Sequence, residues 1–250
     1  MDSLDHVWTK DDFGDCGVSW PADWKVWPAD WEVWYVPETG STNADLLEAS
    51  LRGASDRTVL RTGHQTAGRG RLDRRWDAPP GTNLLVSILF RDVPLNPSVL
   101  TQRVALAAVD AVSMVAGIHA GLKWPNDIVV EDRKLAGVLA QRGTDGSVVV
   151  GLGLNLKWAP DGAARVGDSV EPAAILAALL GSFDALPTDI HDRYRRALVT
   201  LGQHVRVELP TGQLSGMAID VEHDGRLVVL DECAVSHRID VGDIVHLRPG

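Results

Sequence analysis

The sequence predicts an α+β protein with a larger region of strands and helices followed by a small C-terminal β-barrel. Apolar runs at residues 83–90 and 147–156 predict buried strands, and helix-like segments alternate with them along the chain. After Gly202 the pattern changes to five short alternating strands, separated by turns at Thr211-Gly212, Asp224-Gly225 and Val241-Gly242. Short strands at such regular spacing are typical of a small barrel.

The first 34 residues differ in composition from the rest of the chain. They hold six of the nine tryptophans and carry a net charge of -6. Two near copies of one heptapeptide, at 20–26 and 27–33, agree at six of seven positions. Two copies are too few for a solenoid, and Pro28 opposes one continuous helix. We therefore predict a poorly ordered tail at 1–34, or one held by a few indoles, before domains at 35–202 and 203–250.

The first elements of the larger domain follow from local signals. Residues 31–36 predict a strand, and a helix is expected to begin at Ser41 or Thr42 and run to about Arg52. Thr42 and Asp45 have the spacing of a capping box. The hydroxyls and unbonded N–H groups at this helix start are also suited to a polar ligand, so plain capping and ligand binding both remain open.

The remaining elements are predicted in the same way. Asn96-Pro97 is a typical helix start, and an apolar face continues to about Ala116. Further elements are a strand at 58–62, strand-like runs around residues 121–130, a hairpin turn at 132–134, a strand at 135–140 and two helices within 171–202.

Composition excludes several classes of function. The 250 residues carry a net charge of -10, which argues against broad binding to nucleic acid or a membrane surface. The two cysteines, Cys16 and Cys233, form no metal-binding spacing and no disulfide framework, which predicts a reducing cytoplasm. The sequence shows neither a signal peptide nor an apolar run of about 18 residues.

One loop, from Gly63 to Trp76, departs from this acidic background. It contains three glycines and four arginines in fourteen residues. Glycine lets backbone N–H groups approach a ligand, and arginine presents a fork of donors that matches phosphate or carboxylate. The loop is typical either of a small-anion site or of a mobile, solvated basic segment. It is neither a Rossmann fingerprint nor a P-loop, because the further glycine and the Gly-Lys-Ser/Thr sequence are missing.

A second dense block is Lys123-Trp124-Pro125-Asn126-Asp127, which lies between two strand-like runs. Downstream, Gly151 and Gly153 interrupt an otherwise apolar strand that ends near Asn155. Glycines inside a core strand reduce stability, so we expect another group to pack against bare backbone there, and Gly137 predicts a similar close approach.

Four blocks, in this order and spacing, resemble the biotin protein ligases from about Val33 to the C-terminus. They are Gly40-Ser41-Thr42-Asn43, Gln65-x-x-Gly68-Arg69-Gly70-Arg71-x-x-Arg74, Lys123-Trp124-Pro125-Asn126-Asp127 with Arg133-Lys134-Leu135-Ala136-Gly137, and Gly151-Leu152-Gly153-Leu154-Asn155. The strand sequence Gly242-Asp243-Ile244-Val245 matches the end of the family's C-terminal domain.

The resemblance implies a fold, a reaction and partners. The fold is a mixed β-sheet flanked by helices, related to class II aminoacyl-tRNA synthetases, with a C-terminal Src-homology-3-like barrel. Members bind biotin, ATP and Mg²⁺, and they form biotinyl-5′-AMP with release of pyrophosphate. They then transfer biotin to a lysine of the biotin carboxyl carrier domain of an acyl-CoA or pyruvate carboxylase.

The resemblance also implies residue roles. Lys123, Lys134, Arg69 and Asp127 are the candidate catalytic residues, although a plain turn aspartate and solvated strand-end lysines remain alternatives. The candidate biotin contacts are Ser41, Thr42, Asn43, Gln65, Gly68, Arg69, Gly70, Arg71, Lys134, Gly137, Gly151 and Gly153. The candidate ATP contacts are Arg71, Arg74, Trp76, Lys123, Asn126, Lys134 and Asn155. We expect Trp76 and Trp124 to be packing residues or walls beside the adenine. Mg²⁺ is expected to enter with ATP rather than at a dedicated protein site.

The chain departs from the family pattern in three places. Asp73 stands near a position where some members have glycine, and residues 163–170 lack the usual Thr-Ser-Leu-type stretch. The first 34 residues are too short and too acidic for the DNA-binding helix-turn-helix of bifunctional members, so we predict a monofunctional enzyme, a monomer or weak homodimer without a repressor role. A lipoate ligase or octanoyl transferase of the same fold, and a non-catalytic biotin sensor, are the alternative functions.

Overall fold

The computed structural model describes residues 28–209, 212–240 and 242–246. Most of the tail prediction therefore lies outside the described residues. The part that is described begins with a turn, and Trp31 packs into the core with only 6% of its surface exposed. Its ring meets the edge of Phe183 at 5.5 Å between centroids, and its Nε1 donates to Asp184 at 2.9 Å. This indole fastens the chain to the domain just before the first strand.

The larger domain is built on one mixed sheet. Its strands are β1 (Glu32–Thr39), β2 (Thr58–Gln65), β3 (Leu84–Phe90), β4 (Gly121–Lys123), β5 (Asp127–Val130), β6 (Arg133–Arg142) and β7 (Val148–Leu154). They lie in the order β1-β2-β3-β7-β6-β5-β4. Only the β1–β2 pair is parallel among these ladders, so the mixed sheet implied by the resemblance is confirmed. The prediction for residues 31–36 is right in kind, with the strand starting at Glu32 and extending three residues further.

Helices cover both faces of this sheet. The described helices of four or more residues are α1 (Thr42–Leu51), α2 (Ser98–Ala116), α3 (Pro172–Ala185) and α4 (His191–Ala197). Alternate residues of β3 separate the two layers, because successive side chains in a strand point to opposite faces. Val86, Ile88 and Phe90 pack with α2 and α3, whereas Leu89 packs with Leu46 of α1.

Helix α2 is long and apolar enough to span a bilayer by length and composition, with a mean hydropathy of 1.5 over its best window. Half of that window is buried inside the domain, where α2 packs against α3 and the sheet. This burial is the pattern of a core helix. Polar residues Gln102, Arg103 and Asp110 interrupt it, so the helix contains no unbroken apolar run of about 18 residues.

The start of α1 corrects the capping-box prediction. Ser41 holds the N-cap position with an extended backbone, but the Thr42 hydroxyl bonds Gln65 and Ser87 instead of the helix backbone. Asp45 accepts a hydrogen bond from the Thr39 hydroxyl at 2.5 Å, so its carboxylate is directed to the preceding strand. Tertiary contacts have taken over both side chains that the sequence pattern assigned to local capping.

The C-terminal domain contains β8 (His204–Leu209), β9 (Gly212–Val221), β10 (Leu227–Leu230), β11 (Ser236–Ile239) and β12 (Asp243–His246). The five short strands that the sequence predicts after Gly202 are confirmed. They form an antiparallel sheet in the order β11-β10-β9-β8-β12. Among the residues described, β11 and β12 are separate edges, so the small C-terminal β-domain is observed as a five-stranded antiparallel sheet that does not close. Closure depends on curvature, which the alternation of apolar residues does not specify.

Candidate active site

A cavity of about 440 Å³ lies on the α1 face of the larger sheet, where the C-terminal domain approaches it. This volume is in the range of small-molecule sites, roughly 300–1,000 Å³. All but one of the residues predicted from the resemblance line it: Ser41, Thr42, Asn43, Gln65, Arg69, Gly70, Arg71, Arg74, Trp76, Lys123, Asn126, Asp127, Lys134, Gly137, Gly151, Gly153 and Asn155. The exception is Gly68, which does not line the cavity but accepts a hydrogen bond from the Trp76 amide through its carbonyl at 3.0 Å.

Strand register brings distant parts of the sequence into one row. Lys123 pairs with Asp127, Asp127 with Gly137, and Gly137 with Gly153 across four neighbouring strands. Directly opposite residues in antiparallel strands lie on the same face of a sheet. The row therefore places a cation, a carboxylate and two stretches of bare backbone side by side beneath the cavity.

One end of the cavity is a neutral polar network. The Thr42 amide donates to Gln65 Oε1 at 2.9 Å, and the Thr42 hydroxyl lies 3.1 Å from the same atom and 2.7 Å from Ser87 Oγ. Ser87 Oγ in turn donates to Asn43 Oδ1 at 2.6 Å. Asn43 Nδ2 reaches Gln141 Oε1 at 2.7 Å. Buried and cross-linked in this way, these groups are fixed donors and acceptors for an uncharged polar ligand.

Ser87, which bonds the cavity residues Thr42 and Asn43, is a supporting residue that sequence reasoning missed. It is fully buried, with 0% of its surface exposed, in a strand whose other members are all apolar. A lone serine in an apolar run was a signal for this position, because a buried hydroxyl requires a hydrogen-bond partner. Which partner it would find could not be read from the sequence, since Thr42 and Asn43 come from another element.

The glycines of β6 and β7 allow the close approaches that the sequence predicted. A side-chain carbon at Gly151 would collide with the Asn43 amide, and one at Gly153 would collide with the Trp76 indole. A carbon at Gly137 would lie 3.2 Å from both Lys134 Nζ and Trp76 Cζ3. The expectation that another group packs on bare backbone is therefore confirmed, and Trp76 forms a wall of the cavity over the sheet.

Lys134 is held at the centre of the cavity. Its Nζ lies 2.6 Å from Asp127 Oδ1 and 5.6 Å from the centroid of the Trp76 ring. Its backbone carbonyl accepts from the Ala164 amide at 2.9 Å. An ammonium in this position has a defined direction, and 40% of its side-chain surface remains accessible to a ligand.

A cluster of cations lies at the other end. Lys123, Arg69, Arg71 and Arg74 all line the cavity. Arg71 Nη1 donates to Asn126 Oδ1 and to the Gly242 carbonyl, each at 3.3 Å. Burial lowers the pKa of the Arg71 guanidinium from its ordinary value, and the charge of Asp243 partly offsets this effect. Because arginine starts from a very high pKa, Arg71 stays charged near neutrality.

The C-terminal domain supplies an acidic partner that was not among the predicted site residues. Asp243, at the start of β12, forms ion pairs with Arg71 and Arg74 and lines the cavity itself. The sequence contained Gly242-Asp243 as a family match, but the contact crosses 169 positions of chain between Arg74 and Asp243 and could not be anticipated. The second domain thus completes the cationic end of the site.

Asn155 and Trp124 support the walls of the cavity. Asn155 is 2% exposed, donates from Nδ2 to the Ala164 carbonyl at 3.0 Å and accepts from Asn83 at 3.3 Å. Its amide therefore fixes the loop after β7. Trp124 is 3% exposed and donates from Nε1 to the Gly225 carbonyl at 2.8 Å, which confirms it as a packing residue between the domains.

The carboxylates of the site do not assemble into a metal centre. Within the described parts of the chain, no three His, Cys, Asp or Glu side chains group together in a way that could hold a metal ion. Asp127 and Asp243, which both line the cavity, are each paired with a cation.

Comparisons with known proteins agree with this geometry. Residues 36–156 match the model of the biotin/lipoate A/B protein ligase family, and residues 200–247 match the biotin protein ligase C-terminal domain. The chain is 37% identical over 236 residues to the biotin–[acetyl-CoA-carboxylase] ligase of Mycobacterium tuberculosis, covering 85% of this chain and 88% of that protein. A ligase of the same name from Paracoccus denitrificans is 29% identical, with 76% and 91% covered.

A solved structure shows the same fold. Biotin protein ligase from Aquifex aeolicus, in complex with biotin and ATP, aligns with a TM-score of 0.71 at 24% identity. The alignment covers 87% of this chain and 99% of that one. Together with the two matched domains and the mycobacterial relative, this places the chain in the biotin protein ligase family.

Proposed function

We propose that this cavity performs both reactions of an ATP-dependent biotin protein ligase. Biotin and MgATP first give biotinyl-5′-AMP and pyrophosphate, and the biotinyl group then passes to a lysine of a biotin carboxyl carrier domain. The observation that carries the assignment of residues is their convergence. One cavity of this acidic protein is lined by three groups of residues. They are the neutral polar network around Thr42, the glycine-floored strip formed by Gly137, Gly151 and Gly153, and the cationic cluster of Lys123, Arg69, Arg71 and Arg74.

The neutral end suits the ring system of biotin. A cyclic urea presents N–H donors and a carbonyl acceptor but no charge. Thr42, Asn43 and Gln65 offer both kinds of partner, and Ser87 fixes two of them. We assign these residues and Ser41 to the biotin head, and we assign the strip over Gly137, Gly151 and Gly153 to the body of the ligand.

In the first reaction, a carboxylate oxygen of biotin attacks the α-phosphorus of ATP. A carbon–oxygen–phosphorus linkage forms, the bond to the β-phosphate oxygen breaks, and pyrophosphate leaves with that electron pair. Both reactants are anions, so the barrier falls when fixed cations offset their repulsion. We assign this role to Lys134 at the carboxylate and to Lys123, Arg71 and Arg69 at the phosphates.

In the second reaction, the neutral amine of the carrier lysine attacks the acyl carbon, and AMP leaves. A proton must depart from the attacking nitrogen. Asp127 faces the same strip of the cavity and is a candidate to orient or accept from the amine. In the structure its carboxylate pairs with Lys134, so we first assign it to positioning Lys134.

The acceptor follows from the relatives, whose names specify acetyl-CoA carboxylase. We therefore propose a carboxylase carrier domain as the protein substrate and a monomer or weak dimer as the acting form. Cys233 is a free, exposed thiol, which fits a reducing compartment such as the cytoplasm.

The decisive experiment incubates the protein with MgATP, biotin and a carrier domain and measures the intact mass of the carrier. A gain of one biotinyl group that requires ATP supports the proposal. Parallel reactions contain lipoate instead of biotin, and others omit ATP. If the carrier gains mass with lipoate but not with biotin, the protein is a lipoate ligase. If the protein binds biotin but the mass of the carrier does not change, the protein is a sensor.

A further inference from the structure

The backbone next to Lys123 is held by groups near and in the C-terminal domain. The Trp124 amide donates to Thr200 Oγ1 at 3.0 Å, and the Trp124 indole donates to the Gly225 carbonyl at 2.8 Å. Thr200 is fully buried, with 0% of its surface exposed. These contacts fix the position of Trp124, and the orientation of the neighbouring Lys123 at the end of β4 therefore depends on them.

His246, on β12, extends this chain of contacts. Its Nε2 lies 3.3 Å from Thr200 Oγ1. A threonine hydroxyl has one proton to donate and two lone pairs to accept with. Since Oγ1 already accepts from the Trp124 amide, its proton is available for His246 Nε2. A neutral imidazole that carries its proton on Nδ1 can accept that proton at Nε2.

Electrostatics favour that neutral form. Burial lowers the pKa of His246 from its ordinary value of 6.5, and the nearby Lys123 ammonium lowers it further. Asp132 acts in the opposite direction but is the smallest of the three influences. At pH 7 the imidazole is therefore neutral and can accept the Thr200 proton. Below its pKa it becomes a second cation facing Lys123.

We propose that His246 is a positioning residue for adenylate formation, acting through the Thr200 hydroxyl and the Trp124 backbone to fix Lys123 against the nucleotide phosphates. The inference rests on the proposed role of Lys123 in binding ATP. It assigns to the C-terminal domain a second contribution to the site, separate from the ion pairs that Asp243 makes with the arginines.

The test compares His246→Leu and Thr200→Val with wild type in biotin-dependent pyrophosphate release. His246→Leu removes one hydrogen bond of the chain and Thr200→Val removes two, so the KM for ATP should rise about three- to tenfold. Biotin binding measured by calorimetry without ATP should stay unchanged, because the neutral end of the cavity is untouched. The double variant should be little worse than either single variant, since both break the same chain.

His204→Leu is the matched control, because His204 is an exposed histidine on neighbouring strand β8. An unchanged KM for ATP in both test variants would overturn the inference. So would equal losses of affinity for ATP and for biotin together with a lowered melting temperature, which would mark His246 as merely structural.

Lys123→Ala is measured in parallel. If it weakens ATP binding while His246→Leu does not, the inference on His246 fails and the proposed function stands. If Lys123→Ala has no effect, the assignment of Lys123 fails as well.

The pH dependence of the KM for ATP distinguishes a positioning role of His246 from a purely structural one, because a structural role would not change it. As the pH falls from 7 through the lowered pKa of His246, the wild-type imidazole gains a proton, and the KM for ATP should then rise. His246→Gln keeps a neutral acceptor for the Thr200 proton, so it should hold a near-wild-type KM at pH 7 and lose that part of the pH dependence. Identical profiles for wild type and His246→Gln would contradict the proposal.

Discussion

The ammonium of Lys134 contacts a carboxylate and an indole. Asp127 Oδ1 is 2.6 Å away, and the centroid of the Trp76 ring is 5.6 Å away. These contacts fix the charge before any ligand arrives. A cation that is already oriented stabilises a developing anion without reorganising during the reaction, which is the main source of electrostatic catalysis.

Lys123→Ala tests the second lysine of the site. We expect adenylate formation to slow about 100-fold or more, because a fixed positive charge beside the phosphates is lost. The fold should be retained, since Lys123 ends a three-residue edge strand and is only half-buried. Pyrophosphate release gives the rate, and thermal unfolding gives the stability.

Lys157→Ala is the control for that substitution. Lys157 pairs with Glu171 at 2.7 Å, outside the residues that line the cavity. Its loss should leave the rate near wild type. A thermal midpoint of Lys123→Ala far below wild type would instead mark Lys123 as a structural residue.

Individual residues also show what sequence could and could not predict. Lys123, Lys134 and Arg71 were predicted as site residues because the blocks that contain them resemble those of the biotin protein ligases. The role of Thr42 was only half predicted, since its hydroxyl serves the cavity and not the helix start. That choice depends on Gln65 and Ser87, which approach Thr42 only after the sheet and α1 have packed together.

Among the elements, β7 has a specific requirement for glycine. Gly153→Ala places a carbon against the Trp76 indole, so the indole must move or the strand must shift. We expect biotin to bind at least about tenfold more weakly, because an over-packed wall costs roughly 1–3 kcal/mol. Calorimetry of biotin binding measures this effect directly.

Gly181→Ala serves as the matched substitution. Gly181 lies within α3, where an added carbon meets nothing within 4 Å. Alanine there should stabilise the protein by about 0.5–1 kcal/mol, since it is the better helix former, and should leave biotin affinity unchanged. If Gly153→Ala also binds biotin normally, the glycine-floored strip is not part of the binding site.

The loop predicted from Gly63 begins only after Gln65, because β2 extends to that residue. The remaining segment up to Trp76 is the element that we expect to shield the intermediate. Arg69 lies on it at the cavity wall, and its backbone bridges Arg75 in an antiparallel pair. Arg69→Ser removes one cation over the acyl phosphate. Biotinyl-AMP should then escape and label nearby lysines without selectivity, which mass spectrometry of a mixture of carrier and bystander proteins would detect.

Arg238→Ser is the control for this loop prediction, because Arg238 is an exposed arginine of β11 that pairs with Glu222. It should leave labelling confined to the carrier. Selective labelling by Arg69→Ser as well would show that loop closure over the intermediate does not depend on Arg69.

At the scale of the whole molecule, the active site depends on both domains. Asp243→Asn removes the charge that partners Arg71 and Arg74. Arg71 would then remain half-buried beside other cations, so we expect the thermal midpoint to fall by a few degrees and the KM for ATP to rise. Asp240→Asn, at an exposed neighbouring position, should change neither quantity. Equal behaviour of the two variants would contradict a role for the ion pairs in joining the domains.

The domain arrangement also marks the limit of prediction from sequence. The change to short strands after Gly202 was visible in the pattern, and the five strands lie where that pattern put them. The pattern did not show that β11 and β12 would be the two separate edges of the sheet. It also did not show the contact of Asp243 with Arg74. Both are set by how the two sheets curve and meet, which local periodicity does not encode.

Positive and negative charges are distributed unevenly over the molecule. A chain with a net charge of -10 gathers Lys123, Lys134, Arg69, Arg71 and Arg74 around one cavity. The local positive field attracts small anionic substrates. Such a site is suited to joining two small anions.

Pyrophosphate release in a single turnover, with biotin and MgATP but without a carrier, tests this claim most directly. The account predicts a rapid burst of about one pyrophosphate per chain that requires biotin, with biotinyl-5′-AMP retained on the protein until a carrier is added. Release of pyrophosphate that is independent of biotin, or its absence when both substrates are bound, would contradict the account.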